Sequence, residues 1–420
     1  MFSSHRRRLI LNEDLLHGVI EFASQKTLVA LCTVSAAVNS SASRALYRTV
    51  TMRTGLSTYR FHRTVTSKGA NTHNYAEFVL HFTEQLDITW AQKNHSSLHI
   101  QLTEIISVIP YLKSFASSLL DPIFFSVNRL YTFYTTLVKQ TTLRSLHVGT
   151  ISHACVKHLL ALDVPALAHL EADVYERNWS NSWGRQSIET MAQFAASQLR
   201  SLRSLVLPGV VLQRLITEQQ TEGRVWPEMR LVATPLAAVS RETVGLEMTA
   251  KIPEVFPGLH SLAVHTEGRA IYNGSHIDSV LPNLRHLTIV HNAVDASILA
   301  DNHSICSLEL VSAPRVAVRL DRLFGSPHVR ALKLGFRFGG GVHALLQLVC
   351  TLFPGLVCLD VWVTVTDEEE VRTGYAADIA CRNDVLIHSL ALAHEHTSDD
   401  PSRLLATISQ VTYGSMDYQT

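Results

Sequence analysis

The chain has 420 residues, with 36 Lys plus Arg against 36 Asp plus Glu, so its formal charge is zero and bulk electrostatics makes no case for a nucleic acid or an anionic membrane as partner. Hydrophobic residues make up 46% and charged residues 17%, enough for a large core in two or three ordinary domains or one long repeat array. No stretch approaches the roughly 18 uninterrupted apolar residues of a membrane span.

The chain opens with "MFSSHRRRLILNEDLL". Its apolar run is three residues long and an acidic pair follows, which does not read as a secretory signal. "HRRRL" (5–9) reads as a solubilising terminus, with a basic targeting patch as the alternative. Six Cys stand at 32, 155, 306, 350, 358 and 381, none in CxxC, and no Cys/His run has zinc-ligand spacing. The expectation is reduced thiols, no metal and no cofactor, in a cytoplasmic and/or nuclear protein. The N-x-S sequons at Asn39, Asn94, Asn178, Asn273 and Asn302 are then chance matches.

Residues 9–52 predict three short helices. Asn12 is a good N-cap with Glu13 and Asp14 behind it, and Leu15, Leu16, Val19, Ile20 and Phe22 make an apolar stripe. Ser24 and Gln25 break it. Leu28, Leu31, Cys32 and Val34 mark a second helix, and a third runs from Ala36 to about Tyr47. A bundle this small must dock on something.

Residues 53–140 are less regular. A strand is expected near Phe78–Phe82, and residues 96–120 read as a strand followed by an amphipathic helix. "NRLYTFYTTLVKQ" (128–140) reads as a helix. The region is taken as divergent early repeats or a connecting region.

From 141 to 395 one phrase recurs, an apolar residue at i, i+3 and i+5. It is met at Leu143/Leu146/Val148, Leu202/Leu205/Leu207, Leu259/Leu262/Val264, Leu284/Leu287/Ile289, Ile305/Leu308/Leu310, Val329/Leu332/Leu334, Leu356/Leu359/Val361 and Ile387/Leu390/Leu392. Leu167/Leu170 and "WPEMRLV" at Trp226 are degraded copies. The last two positions alternate with a polar or small residue, the period of a half-buried strand. "SHACVKHLLAL" (152–162), "QSIETMAQFAASQL" (186–199) and "HALLQLVCTLF" (343–353) carry helical 3/4 spacing. Prolines at 165, 227, 257, 282, 327 and 354 end each helix shortly before the next strand. Strand, turn, helix, turn, repeated at near-leucine-rich-repeat spacing, predicts an α/β solenoid of parallel strands with helices outside. The alternative is a generic α/β protein. Leu262, Leu287, Leu332 and Leu359 are expected in the core. Residues 396–420 are a closing cap or a loose tail.

Several features invite a chemical reading and keep a plainer one. "GFRFGGGVH" (335–343) lacks the Lys-Ser/Thr of a P-loop and reads as a loop. His153 and His158, and His394 with His396, do not form HExxH. Cys350 and Cys358 are buried-type thiols, and "TDEEEV" (366–371) is a solvated acidic segment. No catalytic residue is assigned. An enzyme whose site is assembled from distant residues stays open as a second class.

"LNEDLLHGVIEF", "KTLVALCTVS" and "ASRALYRTVTM" together resemble an F-box, and the chain resembles F-box-like proteins with degenerate leucine-rich repeats, of the kind abundant in mushroom-forming fungi. The resemblance implies an N-terminal three-helix bundle that binds a Skp-type adaptor, and through it a cullin. It also implies a solenoid that holds an unknown target protein on its concave face. Leu11, Asn12, Leu15, Ile20, Leu28, Leu31, Val34 and Val38 are the adaptor-binding candidates it implies. Asn12 stands where proline is usual, and Val38 near where an aromatic is usual; both predict weaker adaptor binding. The repeats lack the invariant Asn of regular leucine-rich repeats, which predicts an irregular arc. The bundle is expected to stand apart from the repeats, with Leu11, Leu15, Ile20, Leu28 and Val34 exposed. A plain end-cap would turn them inward instead.

Overall fold

The computed structural model describes residues 18–67, 74–86, 88–117, 126–174, 182–233, 251–252, 254–266, 283–291, 304–312, 326–337, 351–365, 385–393 and 408–414. The chain divides into two compact units, Met1–Phe194 and Ala195–Thr420. The division falls inside a helix and at none of the expected domain boundaries.

The first unit begins with a helical turn at residues 18–21, then α1 (Gln25–Leu31) and α2 (Ala36–Arg48). β1 (Thr49–Met52), α3 (Gly55–Thr66), a 3-10 turn (Tyr75–Phe78), β2 (His81–Glu84), α4 (Ile88–Val108) and β3 (Ser114–Ser117) follow. α5 (Val127–Val138), β4 (Ser145–Ile151), α6 (His153–Leu160), β5 (His169–Val174) and α7 (Ser182–Gln198) complete the alternation. β1 to β5 pair in sequence order and all in parallel. Register places Val50, Phe82, Phe115, Leu146 and Leu170 side by side, and every one is buried. Phe82 and Phe115 stack at 6.0 Å between ring centroids, with Phe61 on one side at 6.1 Å and Phe133 on the other at 5.3 Å. An aromatic spine thus does in this unit what leucines do elsewhere. Two residues further along, Glu84 is buried in the next row. Its carboxylate accepts the Ser117 hydroxyl at 2.6 Å and the Leu86 N–H at 2.5 Å, which ties down the ends of β2 and β3.

Residues 96–120 reverse the expected order: a helix comes first and a strand second. Leu98, Ile100 and Leu102 mimic strand alternation. The 3/4 spacing of Leu98, Leu102, Ile105, Ile106 and Ile109 decides the outcome, since all five are buried while Ile100 is 51% exposed. The expected strand near Phe78–Phe82 lies a few residues later, at His81–Glu84.

Histidines join neighbouring outer helices. His62 Nε2 on α3 lies 2.5 Å from the Glu104 carboxylate on α4. His99 Nε2 on α4 donates to the Arg129 carbonyl on α5 at 2.5 Å. His158 on α6 meets the Thr135 hydroxyl of α5 at 2.9 Å and stacks on Tyr131 at 4.3 Å. The Thr190 hydroxyl on α7 lies 3.1 Å from His153 Nδ1. His153 and His158 therefore link helices. Burial, outweighing the hydrogen bond to the Arg129 carbonyl, holds His99 below the ordinary histidine value; burial, then Arg48 and Lys113, does the same for His81. The unfolded chain then takes up a proton first as pH falls, so the stability tied to neutral His99 is complete above the ordinary value of about 6.5 and is lost below it. The melting temperature is expected to fall between about pH 7.5 and 5.5, and to fall less in His99→Gln. Equal falls in the two proteins would exclude His99 as a contributor.

The second unit holds β6 (Ser204–Val206), α8 (Gly209–Thr221), β7 (Leu231–Ala233), β8 (Ser261–Thr266), β9 (His286–His291), β10 (Ser307–Ser312), β11 (Ala331–Arg337) and β12 (Cys358–Val365). These strands also pair in sequence order and in parallel. Leu205, Val232, Leu262, Leu287, Leu308, Leu332 and Leu359 form one register row. Leu262, Leu287 and Leu332 are buried as expected, and the Leu359 side chain lies outside the described residues.

The unit ends differently from expectation. β13 (Val385–Ala393), which contains Ile387/Leu390/Leu392, pairs antiparallel with β12, and β14 (Ile408–Gly414) pairs antiparallel with β13. Period-two alternation reads the same in both directions. It marks which residues share a face and leaves strand direction to the connection.

The Pro-Gly turns of the repeated phrase have a steric cause. A Cβ at Gly258 would collide with the Pro227 carbonyl of the preceding repeat, and one at Gly355 with the Pro327 carbonyl. At the matching position Asn283 instead donates its Nδ2 to the Pro257 carbonyl at 3.4 Å.

Among the described residues no helix is long and apolar enough to cross a membrane, and no three His, Cys, Asp or Glu side chains converge as a metal site. "TDEEEV", His394, His396 and residues 338–343 lie outside the described residues, as does most of the helix expected at 343–353.

Candidate functional site

The N-terminal helices are locked by short polar contacts. The Ser24 hydroxyl caps α1 by accepting the Thr27 N–H, and the Ser35 hydroxyl caps α2 by accepting the Val38 N–H. Asn39 donates its Nδ2 to the Cys32 carbonyl at 2.5 Å and accepts the Ser43 hydroxyl at 3.0 Å, so the link between the two helices is fixed.

α2 does not stand apart from the repeats, because it runs directly into β1, the last four residues of the 9–52 segment. Tyr47 packs on Tyr75 at 4.6 Å and on Phe61 at 6.4 Å, and the Arg44 guanidinium lies 5.5 Å from the Phe78 ring centre. Burial first, then Tyr75, raises the Tyr47 phenol above its ordinary value.

This docking corrects the expected exposed patch. Ile20 and Leu28 are buried. They line a cleft of about 700 Å³ with Arg44, Arg48, Phe78 and Tyr111. The physical reason is that the helical stripe found its partner in the first repeat. Leu31 and Val38 are half-buried, and Val34 is exposed as expected, at 66%. Leu11, Asn12 and Leu15 lie outside the described residues. The side chains that do face outward are Val19 (54%), Phe22 (89%), Val29 (54%) and Val34. Val19 and Phe22 belong to the apolar stripe expected of the first helix.

The open face of the sheet is the second candidate. In the first unit Thr51, Thr83, Ala116, His147 and Glu171 form one row, beside Thr49, His81, Ser114, Ser145 and His169. His147 Nδ1 lies 2.6 Å from the Glu171 carboxylate. In the second unit the Thr288 hydroxyl donates to Glu309 at 3.2 Å, and Glu309 pairs with Lys333 at 2.6 Å. Both surfaces offer hydroxyl, imidazole and paired charges for contact with another molecule. Cys155 is buried on α6, and burial raises its thiol, so it is not a poised nucleophile. No protein-family model matches the chain, and no curated protein is significantly similar to it.

Proposed function

We propose that the chain is the substrate-recognition subunit of a cullin-type (SCF) ubiquitin ligase, its N-terminal helices binding a Skp-type adaptor and its repeats holding a target protein. One observation supports this most: Val19, Phe22, Val29 and Val34 are exposed on the short helices and turns that precede β1. Four large apolar side chains exposed within sixteen residues are the kind of cluster that serves as a partner site. The role is one of proximity: the chain makes and breaks no bond, and it raises the concentration of the target beside the charged conjugating enzyme.

A second reading is a repeat scaffold without an adaptor. It is favoured by the burial of Ile20 and Leu28, since inward docking is what an end-cap needs. Titration with purified adaptor separates the two. Binding at or below about 10 μM is expected, with the double variant Phe22→Asp/Val34→Asp weakening it at least about tenfold. Both positions are exposed, so that variant keeps its fold. If the unmodified chain fails to bind at tens of micromolar, the ligase reading fails and the scaffold reading remains.

A further inference from the structure

We infer that the second unit binds an acidic polypeptide segment along the edge from which its strands start. The residue immediately before each parallel strand there is Arg203 for β6, Arg230 for β7, His260 for β8, Arg285 for β9, Cys306 for β10, Arg330 for β11 and Val357 for β12. All four arginines are exposed and His260 is half-buried. The same position in the first unit holds Arg48 before β1, Lys113 before β3 and Arg144 before β4, with Leu80 and Ala168 before β2 and β5.

The backbone fixes this row. The Arg203 carbonyl accepts the N–H groups of Arg230 and Leu231 at 2.9 and 3.0 Å, and the Arg230 carbonyl accepts those of His260 and Ser261 at 2.9 Å. The His260, Arg285 and Cys306 carbonyls do the same for the next strand in turn. Neighbouring positions are therefore about 4.8 Å apart, which puts Arg230, Arg285 and Arg330 roughly 10 Å from one to the next.

Among the described residues, three guanidinium groups in this row have no carboxylate partner. Arg230 is occupied, donating to the Gly258 carbonyl at 3.0 Å with the Glu228 carboxylate 3.9 Å away. Among the described residues no carboxylate lies within ion-pair distance of Arg203, Arg285 or Arg330. The open face of the same strands behaves differently, because there Glu309 pairs with Lys333. The chain carries as many acids as bases, so an unpaired basic row is not a shortage of carboxylates. Among the described residues the row is open to a counter-charge carried by a ligand.

The chemistry selects the ligand. Guanidinium groups grip carboxylates through paired N–H donors. An extended chain returns a side chain to the same face about every 6.7 Å, within reach of long arginine stems spaced as these are. Exposed prolines stand three residues earlier, at Pro227, Pro257 and Pro327, and offer apolar contact beside the charges. A nucleic acid fits less well. The row is one residue wide, and His260 is its only position with a ring on which a base could stack.

The inference does not rest on the ligase reading, and its test uses no adaptor. Fluorescence anisotropy on the full chain is read with three probes: a dye-labelled Glu-rich peptide, a Lys-rich peptide of equal length and a single-stranded oligonucleotide. The Glu-rich peptide alone is expected to bind, and more weakly as ionic strength rises from about 0.05 to 0.3 M. Arg285→Glu/Arg330→Glu is expected to cut its affinity about tenfold or more. Arg285→Gln/Arg330→Gln, which removes charge without reversing it, should give a smaller loss and covers the case in which the first variant melts early. No binding of the Glu-rich peptide, equal affinity in the glutamine variant, or tighter binding of the oligonucleotide would overturn the assignment.

Discussion

Phe115→Ala is expected to destabilise the first unit by about 3–5 kcal/mol. Phe115 is fully buried and touches rings on both sides, Phe82 at 6.0 Å and Phe133 at 5.3 Å. β3 is only four residues long, with Ser117 as its other inward side chain, so nothing else on that strand fills the gap. Apolar burial is lost, the cavity opens between two aromatic faces, and stiff rings cannot collapse into it. Amide hydrogen exchange reads the result locally: protection in β2, β3 and β4 should fall together. Unchanged protection there would mean that the spine does not carry this part of the fold.

Leu287→Ala is expected to cost about 2–5 kcal/mol in the second unit. Leu287 is 3% exposed and sits in register between Leu262 and Leu308, which are 3% and 1% exposed. Its neighbour Thr288 points to the open face, where Thr288→Ala should stay within about 0.5 kcal/mol. Urea denaturation of the two variants beside the parent tests the register directly. A one-residue slip would exchange the two results, because it moves every side chain of β9 to the opposite face.

The leucine rows are legible in the sequence alone, and for a physical reason. A strand buried on one face must alternate, and a helix must end before proline, so "PxLxxL" marks both the turn and the inward side chains. β1 to β3 escaped that reading because each has four residues and buries only two. Two positions cannot establish a period. The direction of β13 was hidden because alternation carries no direction. At the candidate site, the apolar face of the first helices was legible, but its occupant was not. A stripe such as Ile20 and Leu28 needs an apolar partner and does not record whether that partner is its own first repeat or another protein. The basic edge was visible letter by letter in "LRSL", "MRLV", "LRHL" and "VRAL". It became a surface only when pairing placed those letters in one row.

The proline carbonyl contacts bear on how such an array can change over time. Gly258 leaves room for the carbonyl of Pro227, Asn283 hydrogen-bonds that of Pro257, and Gly355 leaves room for that of Pro327. Each turn is thus cut to fit the one before it, as a key is cut to one lock. Repeats matched in this way are not interchangeable. A copy moved elsewhere in the array keeps its own strand and helix but meets the wrong neighbour at the turn. Where a side chain does the fitting, the order of neighbours is inherited as a pair.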